Sequence, residues 1–242
     1  MRNEIVAIAL AAALASLSIE LSATDTPQAQ PAGDLAALEQ RLAVEPDSLE
    51  AGNQYRQAVI HAREFDRCLA FFERLVAEHP GAANAHLNYG LAHVDKIPVT
   101  GVITQMILAK RAESEFTRAV ELRPSWITYY TRGNGYLFWP TALGKGPLGI
   151  ADLERALELQ RHDTIRTYHV RAFISLGDGY WKIGQPEKAR AIWTEGTRLF
   201  PDNATLKTRL SSDPDAVTNL VADAFDPSRR VDTDLRELWT QR

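Results

Sequence analysis

The 242-residue sequence has a single cysteine, Cys68, which excludes an internal disulfide framework, a cysteine-rich zinc site and a CxxCH haem attachment. It also lacks a basic excess, because 27 lysines and arginines stand against 31 acidic residues and the formal net charge is −4. Binding to nucleic-acid phosphates needs a concentrated basic face, so this balance argues against a nucleic-acid partner. Apolar residues make up 45% of the chain, which excludes a wholly disordered protein.

The local motifs of common enzyme classes are also missing, since the sequence contains no GxSxG, no HExxH and no GxxxxGK[ST]. Gly144, Gly146 and Gly149 match GxGxxG formally. A dinucleotide site requires a strand before that motif, and Trp139-Pro140 stand there instead. These glycines are therefore predicted to form a turn between paired helices. We predict that the chain is not an enzyme, with no catalytic residues and no cofactor.

Two histidines are candidates for a metal site. His86 and His93 lie seven residues apart on one predicted helix face, near Asp95. Two imidazoles and a carboxylate could bind zinc, but that face supplies no further ligand. We predict two packed imidazoles and no metal; a metalloenzyme that uses both histidines is the alternative. Cys68 stands at a small-residue position of a helix and is predicted to lie in the core.

The N-terminal apolar run, Ile5–Ile19, is shorter than the roughly 20 residues that span a membrane, and its length is typical of a secretory signal. Arg2 precedes the run, and Ala23 suits the last residue before a cleavage site. We therefore predict that residues 1–23 are a signal peptide or N-terminal anchor, and that residues 24–33, rich in proline and alanine, are a linker. The protein is expected to be exported, periplasmic or secreted, with membrane contact only through an uncleaved anchor. An amphipathic or buried N-terminal helix is the alternative.

The middle of the chain repeats one pattern. Similar apolar-periodic stretches end at Pro46, Pro80, Pro124 and Pro201. Helical segments with a central glycine precede three of the repeated helices, and these glycines are Gly90, Gly133 and Gly177. A small residue at that position lets paired helices approach closely. One helix pair cannot cover its own apolar face, so neighbouring pairs must stack.

These residues resemble the tetratricopeptide repeat (TPR) family. The best copy, Val170–Pro201, matches its pattern at Phe173, Leu176, Gly177, Tyr180, Ala189, Trp193 and Pro201. Further copies begin near Leu49, Ala83 and Trp126, and the first of them has Arg56 at the glycine position. The resemblance covers residues 34–210 and implies an all-α solenoid of stacked antiparallel helix pairs in a right-handed superhelix. Residues 34–44 are expected to be a capping half-repeat, and residues 211–242 capping helices or a tail.

The resemblance further implies a non-enzymatic protein–protein interaction module that works through its concave face, which the first helix of each pair lines. Carried over by position, the partner-binding residues are Asn53, Gln57, Leu87, Leu91, Tyr130, Asn134, Leu137, Phe138, Ile174, Asp178 and Trp181. This set favours an apolar peptide or helix as the partner over a carboxylate clamp, for which only Asn88 fits. Any of these residues could instead be buried by the neighbouring repeat.

Two insertions depart from the repeat, one near Val94–Ile107 and one at residues 139–149. Both fall at the turn inside a helix pair, so they share one edge of the solenoid and are expected to touch. The alternative function follows from them: a ligand-binding accessory component of an envelope transporter or assembly system. The loops Ile97–Ile103 and Leu137–Leu148 would then close over a pocket. A closed apolar cavity under the loops favours a ligand, whereas an open channel favours a peptide.

The C-terminal tail has helical signals of its own. Asp213-Pro214 predicts a capped helix start. Leu220, Phe225 and Trp239 are expected to fold back on the last repeat as a cap. An extended tail that engages a partner is the alternative.

Overall fold

The computed structural model describes residues 32–227 and 229–240, and these ranges contain α-helices and short 3₁₀ turns but no strand. The α-helices are α1 (Ala32–Val44), α2 (Leu49–Ala62), α3 (Phe65–Glu78), α4 (Ala83–Lys96), α5 (Val102–Leu122), α6 (Trp126–Leu137), α7 (Gly146–Arg161), α8 (Val170–Lys182), α9 (Pro186–Leu199), α10 (Ala204–Ser211), α11 (Pro214–Ala224) and α12 (Glu237–Thr240). The 3₁₀ turns are Ile97–Val99, Thr141–Leu143 and Thr167–His169. The predicted signal peptide or anchor, 1–23, lies outside the described residues. Within them, no helix combines the length and the apolar character that crossing a bilayer requires.

Consecutive helices pack as the pairs α2–α3, α4–α5, α6–α7 and α8–α9. The second helix of each pair packs against the first helix of the next, α1 covers α2, and α10 covers α9. The first helices begin at Leu49, Ala83, Trp126 and Val170, where the sequence pattern predicts the copies to begin. The predicted α-solenoid of stacked helix pairs is therefore confirmed.

Side-chain caps fix several of these helix starts. The hydroxyl of Ser48 accepts a backbone N–H in the first turn of α2, and Ser125 with Thr128 forms a capping box at α6. The carboxylate of Asp213 caps α11, and Pro214 is the first residue of that helix. The predicted start of α11 is thus confirmed.

Close approach within the pairs depends on the central glycines. A Cβ atom at Gly177 would lie 2.1 Å from Nε1 of Trp193, and one at Gly90 would lie 2.4 Å from Cε1 of Phe116. Both aromatic rings belong to the second helix of the same pair and occupy the space that a side chain would need. The predicted role of these glycines is therefore confirmed.

In the part of the chain that the structure describes, the core is divided along the stack into three clusters of buried side chains. One joins α1 to α4 around Phe72, one lies between α4 and α5 around Phe116, and one runs from α6 to α11 around Trp193. Such a distributed core is expected when each repeat contacts only its neighbours.

The C-terminal part folds back in two stages. Helix α11 returns from α10 and packs on α8, where Phe225 is buried and meets Phe138 edge to face at a centroid distance of 5.5 Å. This agrees with the expected cap at Phe225. The chain beyond differs from it, because Thr233 and Asp234 contact α2, at the opposite end of the stack. Hydrogen bonds to Asn53 and Arg56 hold them there rather than against the last repeat.

Candidate partner-binding groove

Residues 229–236 are non-helical and contact the first helices α2, α4 and α8, and we call the face that these first helices and α6 share the groove. We call residues 229–236 the return segment. Asp232 lies 3.8 Å from Arg171 of α8, and Glu237, directly after the segment, pairs with the same arginine at 2.6 Å. Thr233 reaches α2. The return segment therefore connects the last repeat with the first.

Arg56 on α2 is fully buried and holds the return segment at Thr233. Its Nη2 donates to the carbonyl of Thr233 at 2.8 Å and to Asn53 Oδ1 at 3.0 Å. Its Nη1 donates to Asp95 Oδ2 at 2.8 Å and to the Thr233 hydroxyl at 3.1 Å, while Nε donates to Asn88 Oδ1 at 3.0 Å. The hydroxyl in turn donates to Asp95 Oδ1 at 2.5 Å. All five N–H groups of the guanidinium thus have an acceptor, two of them on Thr233.

Asn53 holds the next two residues of the return segment. Its Nδ2 donates to Asp234 Oδ1 at 2.9 Å, and its Oδ1 accepts the backbone N–H of Leu235 at 2.9 Å. Burial raises the pKa of Asp234, but hydrogen bonds from Asn53 and Arg236 lower it by more than burial raises it. The pKa of Asp234 therefore lies below its ordinary value. The side chain of Leu235 packs on the core cluster between α4 and α5. We call Asn53, Arg56 and Asp95 together the α2–α4 polar site.

Next to this polar site, a cavity of about 510 Å³ lies between α4 and α6. Both insertions border it, the first through Ile97, Pro98 and Val102 and the second through Trp139 and Pro140. Val231, Thr233 and Leu235 of the return segment form part of its wall. The volume lies within the range of small-molecule pockets.

Charged groups at the cavity wall have partners. Lys182 donates to the carbonyl of Trp139 at 3.2 Å and lies 5.2 Å above the ring of Phe225, and burial lowers its pKa. Glu113 accepts from Lys145 at 2.8 Å. Burial raises the pKa of Glu113, but the lysine hydrogen bonds outweigh that effect and lower it overall. Because these charged groups are paired within the protein, apolar side chains form much of the surface that faces the cavity.

Several of the predicted partner-binding residues line cavities in the groove. The wall of the 510 Å³ cavity includes Leu91, Tyr130, Asn134 and Phe138. A second cavity, of about 300 Å³, lies beside α8, and its wall includes Asn134, Phe138, Ile174 and Asp178. The structure therefore brings six of the predicted residues together between α4 and α8.

The remaining predicted residues have other surroundings. Leu87 and Leu137 are fully buried in the core, so neither can contact a partner, and the expectation for them is corrected. Trp181 stacks on Trp193 at 5.8 Å and donates to Thr218 of α11. Gln57 is half-buried on α2 and lines neither cavity.

Two predicted groove positions already have intramolecular partners. Asn53 binds the return segment. Asp178 is 1% exposed and forms a bidentate ion pair with Arg209 of α10, with both N···O distances 2.5 Å. Burial raises the pKa of Asp178 despite this arginine. Its main contact is therefore with the capping helix, although it borders the second cavity.

Sequence reasoning did not identify Arg56 and Asp95 as groove residues. One signal was present: Arg56 stands where the repeat pattern places glycine, and a charged residue at a packed position needs a specific set of acceptors. The identity of those acceptors depends on residue 233, far along the chain.

The two candidate metal-binding histidines pack between helices. His86 Nδ1 lies 2.7 Å from Glu115 Oε2, and His93 packs on Tyr89 with ring centroids 4.5 Å apart. Burial lowers the pKa of His93 to about 4. Over residues 32–227 and 229–240, no three His, Cys, Asp or Glu side chains are grouped closely enough to hold a metal ion.

Three solved structures are similar to this chain. TTC0263 from Thermus thermophilus, a thermophilic TPR protein, is 20% identical, superposes with a TM-score of 0.55, and is matched over 73% of this chain and 87% of its own. YrrB, a TPR protein with an unusual peptide-binding site, is 17% identical over 78% and 93% of the two chains, with a TM-score of 0.49. MamA is 15% identical over 75% and 85%, with a TM-score of 0.48.

The fold of this chain is therefore that of the TPR proteins. Comparison of the sequence with protein-family models and with curated proteins gives no match.

Proposed function

We propose that this protein is a non-enzymatic protein–protein interaction module that binds a segment of a partner protein in the groove between α2 and α8. One observation carries the proposal: the groove already accommodates a length of non-helical polypeptide, the return segment, through hydrogen bonds to its backbone and side chains. A surface that can hold its own chain in this way has the width and the polar groups to hold another.

The apolar cavity supplies the second part of the argument. Leu91, Tyr130 and Phe138 line it, and side chains of this kind anchor bound peptides. Tyr130 is held in place by stacking on Trp126, with centroids 4.9 Å apart and planes 5° from parallel. Burial raises the pKa of Tyr130, so its hydroxyl stays neutral at physiological pH. A rigid wall lowers the ordering cost of binding.

Selection from a displayed peptide library tests this function and does not require the partner to be identified first. Selected peptides should be rich in apolar residues and should bind Met106→Glu at least about tenfold more weakly, because Met106 is half-exposed and lines the cavity. Leu199→Glu is the matched control, since Leu199 is similarly exposed on α9 and lines neither cavity. Peptides that bind both variants equally would contradict the groove, and a library with no binder would contradict the function.

A second candidate function is binding of a small apolar molecule. The favouring observation is the 510 Å³ cavity itself, bordered by both insertions and by the return segment. Titration with the dye N-phenyl-1-naphthylamine should then give saturable binding at one site, and Met106→Glu should weaken it while Leu199→Glu should not. Dye binding that does not saturate would contradict this candidate.

We also propose that the protein is exported, on the basis of Arg2 and the apolar run Ile5–Ile19. Mass measurement of the chain isolated from its native cells provides the test. Cleavage after Ala23 would leave Thr24 as the first residue, and an uncleaved chain in the membrane fraction would indicate an anchor. An uncleaved chain in the soluble cytoplasmic fraction would contradict export.

A further inference from the structure

The α2–α4 polar site makes a distinct contact with each of three consecutive residues. Arg56 donates to both the carbonyl and the hydroxyl of Thr233, and the Thr233 hydroxyl donates to Asp95. The site also donates to the carboxylate of Asp234 and accepts the backbone N–H of Leu235. Two of these five hydrogen bonds involve the peptide backbone, two require a hydroxyl, and one requires a carboxylate on the next residue.

The polar site is organised by its own helices. Arg56 is bonded to Asn53 on the same helix and to Asn88 and Asp95 on α4, independently of the return segment. A guanidinium that is already held by three neighbours loses little freedom when a ligand arrives. The site would thus keep its form when the return segment leaves.

The return segment, in contrast, has an exposed connection to the rest of the fold. Pro227, Arg229 and Arg230, between α11 and the bound residues, are exposed. Helix α11 is fixed on α8 by its own apolar contacts, including buried Val217 and Val221. Release of Thr233–Leu235 from α2 would therefore leave the packing of α11 unchanged.

We propose that the α2–α4 polar site is a recognition site for extended peptides with a hydroxyl residue, an acidic residue and an apolar residue in sequence, and that Thr233–Leu235 occupies it as an intramolecular ligand. A partner segment of the same chemistry binds by displacing the return segment. Since Val231, Thr233 and Leu235 also border the 510 Å³ cavity, that displacement opens the cavity. This inference rests on the proposed peptide-binding function and names the chemistry of the partner.

The test is binding of a labelled peptide, VDTDLRELW, which copies residues 231–239, to the full chain. In the wild-type protein the tethered copy competes, whereas the double variant Thr233→Val/Asp234→Ala weakens that competitor and leaves the site intact. The apparent Kd of a site equals its intrinsic Kd divided by the unoccupied fraction, so a site filled about 90% or more of the time should bind about tenfold or more tightly once freed. Equal affinity for both proteins, or no binding to either, would overturn the proposal.

Three controls define the specificity. A peptide with valine and alanine at the positions of Thr233 and Asp234 should not bind, and Asn53→Ala in the double variant should abolish binding, with helical content checked by circular dichroism. Binding of the altered peptide, or full binding to folded Asn53→Ala protein, would overturn the proposal. A wild-type dimer that the double substitution dissociates would also overturn it, because the occupant would then be the tail of a second copy.

The two proposals fail differently. In one outcome, binding of the library peptides depends on Met106, but the double variant binds VDTDLRELW no more tightly than the wild type does. That outcome would leave the proposed function standing and remove only this inference. A library without binders to either the wild type or the double variant would remove the function, and binding of VDTDLRELW to the double variant would then show only that the polar site recognises the sequence of its own tail.

Discussion

Replacement of His93 by phenylalanine should make the protein less sensitive to acid. The imidazole is 1% exposed, packs on Tyr89, and finds no hydrogen-bond partner at Nδ1 among the described residues. Burial, and after it the charges of Arg111 and Lys96, lowers its pKa from 6.5 to about 4. The neutral ring is therefore favoured in the folded state, and a phenyl ring can take its place between the helices.

The size of the effect follows from the two pKa values. A histidine with a depressed folded pKa contributes its full stability above the unfolded pKa of about 6.5, and loses it as the pH falls towards about 4. Between pH 7 and pH 5 the loss for one such group is about 2 kcal/mol, and the whole shift corresponds to about 3 kcal/mol. Phenylalanine at this position does not titrate, so it should remove this part of the pH dependence.

Urea unfolding at pH 7, 6, 5 and 4.5 measures the difference. The free energy of unfolding of His93→Phe minus that of the wild type should increase by about 2 kcal/mol between pH 7 and pH 5, since the contributions of all other groups cancel. His169, whose pKa burial also lowers, remains in both proteins and does not enter the difference. A difference that is constant with pH would refute the reasoning, because His93 would then titrate alike in folded and unfolded chains.

Two further predictions concern packing. Gly177→Ala should lower the free energy of unfolding by about 2 kcal/mol or more, because the new Cβ would overlap Trp193. At Gly135 a Cβ would make only ordinary contacts of 3.6 Å with the ring of Phe116, so Gly135→Ala should be neutral or stabilise α6 by up to about 1 kcal/mol. Urea unfolding of both variants measures this, and equal effects would contradict the packing argument. Asp178→Asn should lower the free energy of unfolding by about 3 kcal/mol, because it leaves the charge of Arg209 buried without its anion. The double replacement Asp178→Leu/Arg209→Met should recover most of that loss in the same assay. A double variant no more stable than the single one would contradict it.

The repeat architecture could be predicted because its determinants are local and recur. A glycine at the centre of the first helix and an aromatic residue on the second, such as Gly90 with Phe116, specify one helix pair. The same pattern at Gly177 and Trp193 specifies another, and stacking follows because neither pair covers its own apolar face. The start of α11 was equally predictable, since an N-cap and a proline at the first position of a helix act within one turn.

The candidate site was only partly predictable, because position in the repeat determines which helix face a residue occupies but not what covers that face. Tyr130 and Phe138 line the cavity as that argument expects, while Leu137, one residue from Phe138, is fully buried. A difference of one residue turns a helical side chain by about 100°, and a repeat register taken from degenerate copies does not resolve such a step.

The contact between Arg56 and Thr233 could not be predicted from local pattern, since 177 residues separate the two. The physical cost of the arginine nevertheless shows why that contact exists. A guanidinium at a position built for glycine must be buried, and burial of a charge without acceptors costs several kcal/mol. The two asparagines and Asp95 satisfy three of its five N–H groups, so the remaining two require acceptors from outside the repeats. The hydroxyl and the carbonyl of Thr233 supply them, and a peptide that displaces the return segment, as we propose, must supply two acceptors in their place.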